Sequence, residues 1–267
     1  MCGQGALDAL LRGGVPCGAV TELCGEASAA KTQLCLQLLL CTQLPPAQGG
    51  LDGTALYIYT EGDPPLKRLQ QLADVRPQLR CRGDGGAFDN VFVERGVASG
   101  EELLMRLERL RPLLADPPRQ PVRLLVIDSV AHLFRDAGAA GDHGQDGRDC
   151  GGGGLAAYAA RAELLFRLAA LLKLYADEFR LAVVVINQVT DVVGDERSGR
   201  TAPLCRHTAG QRLQTAGREV AAQPVMRCMQ VVFSPYLPTG FCYFTLNRLG
   251  RSAAACLHED KRMTCCD

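Results

Sequence analysis

Short apolar runs alternate with longer amphipathic stretches along most of the chain. The apolar runs have the length and residue types of buried strands, and the longer stretches repeat their apolar residues with the period of a helix. The predicted strands are VTELCG, TALYIYT, FDNVFVE, RLLVIDSV and LAVVVINQV. The predicted helices are LDALLRGG, KTQLCLQLLLCTQL, PPLKRLQQLADV, SGEELLMRLERLRPLL and AYAARAELLFRLAALLKLYADEF. Because strands alternate with helices, we expect an α/β fold with a mostly parallel central sheet flanked by helices.

The last quarter of the chain has a weaker pattern. Residues 191–224 carry arginines, glycines and threonines without a clear period, so we predict an irregular segment there. RCMQVVFSPY and FCYFTLN predict a short β-hairpin near the C-terminus, with LPTG as its turn. The glycine-rich residues 138–154 predict a loop without regular structure. We expect one core domain over residues 1–250 and a C-terminal tail over residues 251–267.

Composition and charge exclude several classes of protein. The 267 residues are 47% hydrophobic, which is enough for a sizeable core. Basic and acidic residues number 29 each, so the chain has no overall charge that would attract nucleic acid or a membrane surface. The sequence contains no signal peptide and no apolar window of transmembrane length, so we expect no membrane partner. Contact with DNA has to come from a local basic patch.

GEASAAKTQ, residues 25–33, is the strongest candidate for chemistry. It follows a predicted strand and opens a predicted helix, which is the setting of a phosphate-binding loop. Lys31 would reach the β- and γ-phosphates of a nucleotide, and the Thr32 hydroxyl would hold Mg²⁺. The candidate nucleotide-binding residues are Gly25, Glu26, Ala27, Ser28, Ala29, Ala30, Lys31 and Thr32. Ala30 replaces the second glycine of the motif, where a positive φ would cost about 1–2 kcal/mol, so an ordinary strand–loop–helix with a lysine is the alternative.

Three further polar side chains follow predicted strands, and each also has a simpler interpretation. Asp128 is a candidate Mg²⁺ ligand that would accept a hydrogen bond from a metal-bound water or from Thr32, or it caps a helix. Glu61 could polarise an attacking water, or it is a solvated turn residue. Gln188 could sense the γ-phosphate, or it is a polar strand end. Since ligands bind at the carboxyl ends of parallel strands, the joint order of these residues favours one nucleotide site.

At these stretches the sequence resembles the RecA/recombinase family of ATPases, and within it the eukaryotic recombinase paralogues. The resemblance covers residues 5–192 and is carried by TELCGEASAAKTQLCLQL, ALYIYTEG, RLLVIDSV, LLKLYADEF and VVVINQV. It implies a RecA-like P-loop ATPase core that binds ATP and Mg²⁺ and acts in homologous-recombination repair of DNA. It also implies that Glu61 is the catalytic glutamate, that Gln188 links the nucleotide to the DNA loops, and that hydrolysis is slow.

The resemblance further implies partners and a location. The expected partners are another recombinase paralogue, in a heterodimer, and single-stranded or branched DNA. The first DNA loop would follow Arg135 and the second would follow Gln188, so Arg135, Arg197 and Arg200 are candidate DNA-binding residues. Solvated loop arginines are the alternative. The expected location is the nucleus, with some cytoplasmic pool.

Departures from the family pattern leave other interpretations open. The small helical N-terminal domain used for subunit contact is expected to be absent from this chain. Ala30 puts hydrolysis in question more than binding, so a non-hydrolysing scaffold subunit of a paralogue complex that carries ATP is the alternative function. A truncated, unstable product is a third interpretation.

Overall fold

The computed structural model describes residues 5–80, 86, 88–134, 153–189, 211–218 and 226–245. In chain order the elements are α1 (Gly5–Leu10), β1 (Ala19–Gly25), α2 (Lys31–Thr42), a 3₁₀ turn (Pro46–Gln48), β2 (Thr54–Tyr59), α3 (Leu66–Asp74), α4 (Pro77–Arg80), β3 (Val91–Arg95), α5 (Gly100–Ala115), β4 (Val122–Asp128), α6 (Val130–Leu133), α7 (Gly153–Glu178), β5 (Ala182–Gln188), β6 (Gln211–Arg218), β7 (Met226–Phe233) and β8 (Gly240–Thr245). The predicted tail over residues 251–267 lies outside the described residues.

The strands form a single sheet in the order β3-β2-β4-β5-β1-β6-β7-β8. Neighbouring strands from β3 to β6 pair in parallel, and β7 and β8 add antiparallel strands at one edge. The predicted α/β fold with a mostly parallel sheet is confirmed. The predicted hairpin is confirmed as well, since β7 pairs with β8 from Val231 opposite Gly240 to Met226 opposite Thr245.

The prediction of an irregular segment over residues 191–224 is wrong for residues 211–218. These residues form β6, which pairs in parallel with β1 from Thr21 opposite Gln211 to Gly25 opposite Thr215. The sequence QRLQTAGR has no aromatic residue and one β-branched residue, so its intrinsic strand preference is weak. This segment pairs with β1 on one side and with β7 on the other. These pairings, and not its own strand preference, make it a strand.

Alternate residues of the central strands enter two separate cores, one on each face of the sheet. Tyr57 and Val126 belong to the core beneath α2 and α3, whereas their neighbours Ile58 and Ile127 belong to the core beneath α5 and α7. Burial on both faces is typical of parallel sheets, and it explains why these strands read as continuous apolar runs.

The register of the strands brings their polar ends to one edge of the sheet. Gly25 at the end of β1 lies opposite Gln188 at the end of β5. Tyr59 at the end of β2 lies opposite Asp128 at the end of β4. The segments that follow β1, β2, β4 and β5 therefore begin close together, as the sequence order predicts.

No helix in the described ranges is long and apolar enough to cross a membrane.

Candidate functional site

The loop between β1 and α2 has the backbone shape of an anion-binding loop. Ser28 and Ala30 have φ of 63° and 76°, both in the left-handed region. Left-handed residues beside right-handed ones turn successive N–H groups toward one point, where an anion can bind. Ala30 immediately precedes α2, and no side chain caps this end of the helix. Ala30 therefore has the positive φ that the sequence analysis considered costly for an alanine.

The exposure of the loop residues fits a loop that curls around a ligand. Glu26, Ala27 and Ser28 are exposed, whereas Ala29 and Ala30 are buried. The loop also contacts the C-terminal part of the sheet, because Nε of Arg227 on β7 donates to the carbonyl oxygen of Ser28 at 3.3 Å. Sequence analysis missed Arg227, since no local signal connects β7 to this loop.

The side chain of Lys31 folds back into the loop and contacts its backbone. Lys31 is 6% exposed. Its Nζ donates to the carbonyl oxygens of Gly25 at 2.8 Å and Glu26 at 2.6 Å. Burial lowers the pKa of Lys31, and the negative charge of Asp128 opposes this effect. An anion bound in the loop would stabilise the buried ammonium group, because a buried charge is costly without an opposite charge.

Thr32 and Asp128 are in direct contact. Oγ1 of Thr32 donates to Oδ2 of Asp128 at 2.8 Å, which is the contact predicted from the sequence. The hydroxyl of Tyr57 donates to the same oxygen at 3.0 Å. Burial raises the pKa of Asp128, and the hydrogen bonds from Thr32 and Tyr57 oppose this effect. Asp128 does not cap the helix that follows it, because Ser129 occupies the N-cap position of α6 and the Asp128 carboxylate accepts from these two hydroxyls instead.

Glu61 is held by two side chains from neighbouring strand ends. Nε2 of Gln188 lies 3.0 Å from each of its carboxylate oxygens, and Oγ of Ser129 donates to Oε1 at 2.7 Å. Glu61 is therefore not a freely solvated turn residue, and Gln188 is not merely a polar strand end. The structure brings these two predicted residues together.

Ser129, which sequence analysis missed, is fixed from both sides by Thr60. Its backbone N–H donates to Oγ1 of Thr60 at 2.9 Å, and the Thr60 hydroxyl donates to its carbonyl oxygen at 2.7 Å. Ser129 is fully buried. It precedes α6 but makes no side-chain cap to that helix. The only available signal was its position directly after Asp128.

Asn187 lies apart from this group of side chains. Its Nδ2 donates to Oε1 of Glu22 on β1 at 2.9 Å, and Glu22 is fully buried. Asn187 precedes Gln188 on β5, so their side chains point to opposite faces of the sheet. Of the two polar residues at this strand end, only Gln188 reaches Glu61.

The side chains fit a nucleotide with a divalent cation. Among the described residues, no group of three or more His, Cys, Asp and Glu side chains could hold a metal ion. Mg²⁺ does not need such a group, since it is usually bound by one or two protein oxygens together with substrate phosphates and water. The hydroxyl of Thr32 and the carboxylate of Asp128 supply suitable oxygens beside the phosphate-binding loop.

Comparison with known proteins gives the family. The Rad51 family model matches residues 1–253 of the chain. The chain belongs to the Rad51 family. The predicted RecA-like core and the resemblance to the recombinases are thereby confirmed.

Three relatives lie within the recombinase-paralogue branch that the sequence resembles. The chain is 32% identical to "DNA repair protein XRCC3 homolog" of Arabidopsis thaliana, over 91% of this chain and 89% of the relative. It is 37% identical to "DNA repair protein XRCC3" of Bos taurus, over 90% of this chain and 70% of the relative. It is 35% identical to the protein of the same name from Mus musculus, over 91% of this chain and 72% of the relative.

The candidate DNA-binding residues of this Rad51-family chain, Arg135, Arg197 and Arg200, lie outside the described residues. Most of both predicted DNA loops lies outside them as well. These assignments stay predictions.

Proposed function

We propose that this protein binds ATP with Mg²⁺ at residues 25–32 and acts in DNA repair by homologous recombination. The observation that carries the proposal is the meeting of Lys31, the Thr32–Asp128 pair and the Glu61–Gln188 pair at one edge of the sheet. Membership of the Rad51 family and the names of the relatives support the role in repair.

Each side chain at this edge has a chemical task in the proposal. The loop N–H groups and Lys31 bind the phosphates, and Lys31 exchanges its bonds to Gly25 and Glu26 for phosphate oxygens. Thr32 and Asp128 hold Mg²⁺, which neutralises phosphate charge when bound. Glu61 orients a water molecule and accepts its proton as that water attacks the γ-phosphate.

Gln188 connects the nucleotide to the segment that follows β5. Its amide nitrogen is bound to Glu61. An amide that turns toward the γ-phosphate has to leave Glu61, so the two contacts define two positions of Gln188. Since residue 189 follows directly, we propose that this exchange passes the nucleotide state to the predicted second DNA loop.

We further propose the setting in which this site works. The partners are another recombinase paralogue, in a heterodimer, and single-stranded or branched DNA. A cation from the neighbouring subunit can complete such an ATP site in the manner of an arginine finger. The proposed location is the nucleus, with some cytoplasmic pool. Membership of the Rad51 family supports the proposed partners.

A second candidate function follows from the backbone at Ala30. Its left-handed φ of 76° places a methyl group where the motif has glycine. If that methyl group displaces the γ-phosphate, the protein is a scaffold subunit of a paralogue complex that binds ATP without hydrolysing it.

The rate of ATP hydrolysis distinguishes the two candidate functions. With partner and single-stranded DNA present, we expect slow hydrolysis that Glu61→Gln lowers about 100-fold, the usual size of a lost general base. Glu108→Gln, at an exposed position of α5, is the matched control and should hydrolyse ATP at the wild-type rate. The affinity for ATP should be the same in all three proteins.

Two results would contradict parts of the proposed mechanism. Equal turnover in Glu61→Gln and the wild type would exclude Glu61 as the base. A wild-type protein that binds ATP and its partner but shows no turnover under any DNA condition would establish the scaffold function.

A further inference from the structure

We propose that Tyr57 is a positioning residue for the magnesium site, whose hydroxyl fixes the carboxylate of Asp128 in the orientation that Mg²⁺ binding requires. The inference rests on the proposed function, because it concerns the site at which Mg²⁺ and ATP would bind. It assigns a role to a buried side chain that sequence analysis treated as part of an apolar strand.

The geometry of two adjacent strands places Tyr57 beneath the site. Tyr57 on β2 lies opposite Val126 on β4, two residues before Asp128. Side chains two residues apart on a strand share a face, so Tyr57, Val126 and Asp128 point to the same side of the sheet. The tyrosine ring is packed in the core beneath α2, and only its hydroxyl reaches the carboxylate, at 3.0 Å from Oδ2.

Asp128 depends on such fixed donors because water barely reaches it. The residue is 3% exposed, so protein groups have to satisfy and orient its carboxylate. Two hydroxyls, from Thr32 and Tyr57, donate to Oδ2. Their convergence on one oxygen sets the rotation of the carboxylate group relative to the loop.

The two donors differ in what else they do. The Thr32 hydroxyl is also a proposed ligand of Mg²⁺, so it is shared between the ion and the carboxylate. Tyr57 is 1% exposed and its ring is fixed by core packing. Within the part of the chain that the structure describes, its hydroxyl donates to Asp128 alone. Loss of the Tyr57 hydroxyl would leave the carboxylate with one donor at the moment when that donor also binds the ion.

Groups that hydrogen-bond to a metal ligand commonly change metal affinity about 10- to 100-fold when they are removed. A hydroxyl that only satisfied a buried carboxylate would behave differently. Its removal would lower the stability of the fold and leave the dependence of nucleotide binding on Mg²⁺ unchanged. The two roles can therefore be separated by measuring binding at several Mg²⁺ concentrations.

The experiment is a calorimetric titration of the full chain with the β,γ-imido analogue of ATP, in EDTA and over a series of Mg²⁺ concentrations. Tyr57→Phe keeps the ring and removes the hydroxyl. Tyr175→Phe is the matched control, because Tyr175 is also 1% exposed but donates its hydroxyl to the carbonyl oxygen of Leu107 in the opposite core. Thermal unfolding of each variant shows that it is folded.

We expect Tyr57→Phe to need about tenfold more Mg²⁺ for half-maximal tightening of binding, the lower end of the usual range. Its affinity in EDTA should match the wild type, and Tyr175→Phe should match the wild type in both conditions. An unchanged Mg²⁺ requirement in Tyr57→Phe would overturn the inference. An equal loss with and without Mg²⁺ would also overturn it, because the hydroxyl would then support the loop and not the ion. A wild type that binds no nucleotide would remove the proposed function, and the inference with it.

Discussion

Ala30 is the residue at which this chain departs from the phosphate-loop motif while keeping its backbone shape. An alanine in the left-handed region costs about 1–2 kcal/mol relative to ordinary backbone. The structure nevertheless has φ of 76° at this position. The loop therefore keeps the conformation that suits an anion, and it does so against the preference of its own residue.

Ala30→Gly should leave the stability of the protein nearly unchanged. The glycine removes left-handed strain of about 1–2 kcal/mol, and it adds freedom to the unfolded chain that costs about 0.4–1 kcal/mol. The glycine also loses a buried methyl group that contributes about 0.8 kcal/mol. Because these effects offset one another, we expect the free energy of unfolding in urea to stay within about 0.5 kcal/mol of the wild type.

Ala27→Gly is the matched control in the same loop. Ala27 is exposed and does not have a positive φ, so a glycine there should only increase the freedom of the unfolded chain. The free energy of unfolding should fall by about 0.4–1 kcal/mol. Equal destabilisation by the two substitutions would show that Ala30 is not strained.

At the scale of elements, the site is built where the ends of β1, β2, β4 and β5 meet. Lys31 and Thr32 open α2 after β1, whereas Glu61 follows β2 and Gln188 ends β5. Lys31 and Thr32 could be predicted from the phosphate-loop motif between a strand and a helix. Glu61 and Gln188 could be predicted because they stand at the ends of apolar runs. The end of a buried strand is the one place where a polar side chain next to such a run can reach a ligand.

The residues that support them could not be predicted in the same way. Tyr57, Thr60 and Ser129 act through contacts between β2 and β4, which are about 70 residues apart in the chain, as the 71-residue separation of Tyr57 and Asp128 illustrates. Such contacts depend on the register of the two strands, which no local pattern specifies. Strand β6 could not be predicted for a related reason. It is a strand because it pairs with β1 and β7, and its own residues have little strand preference.

Ser129→Ala tests the contact between strand ends. Ser129 is held by Thr60 and donates to Glu61, so it keeps the Glu61 carboxylate in place when Gln188 turns to the nucleotide. We expect turnover of ATP to fall about tenfold, less than the loss of about 100-fold expected when the base itself is removed, with unchanged affinity for ATP. The loss should disappear in a Glu61→Gln background, because nothing remains to be positioned.

Ser99→Ala removes a serine hydroxyl that has no contact with the site. Oγ of Ser99 accepts from the backbone N–H of Glu102 and caps α5. This variant should lose about 1 kcal/mol of stability and no turnover. If Ser129→Ala also had lower stability and normal turnover of ATP, Ser129 would not position Glu61.

For the whole molecule, the order of strands and helices in the sequence predicted more of the fold than any single motif did. Alternating elements predicted the parallel sheet and its two flanking layers, and family membership agrees with that architecture. The proposed function requires that the edge where the polar strand ends meet is a working Mg²⁺–ATP site. Lys31 is the residue on which this claim depends most, because its buried ammonium group lies at the centre of the loop.

The most direct measurement is the affinity of the whole chain for ATP with Mg²⁺, by titration calorimetry, beside Lys31→Ala. Lys67→Ala, at an exposed position of α3, is the matched control. We expect the wild type and Lys67→Ala to bind equally and Lys31→Ala to bind at least about tenfold more weakly, a loss of about 1.4 kcal/mol. A wild type that does not bind, or a Lys31→Ala protein that binds as tightly as the wild type, would contradict the proposed function.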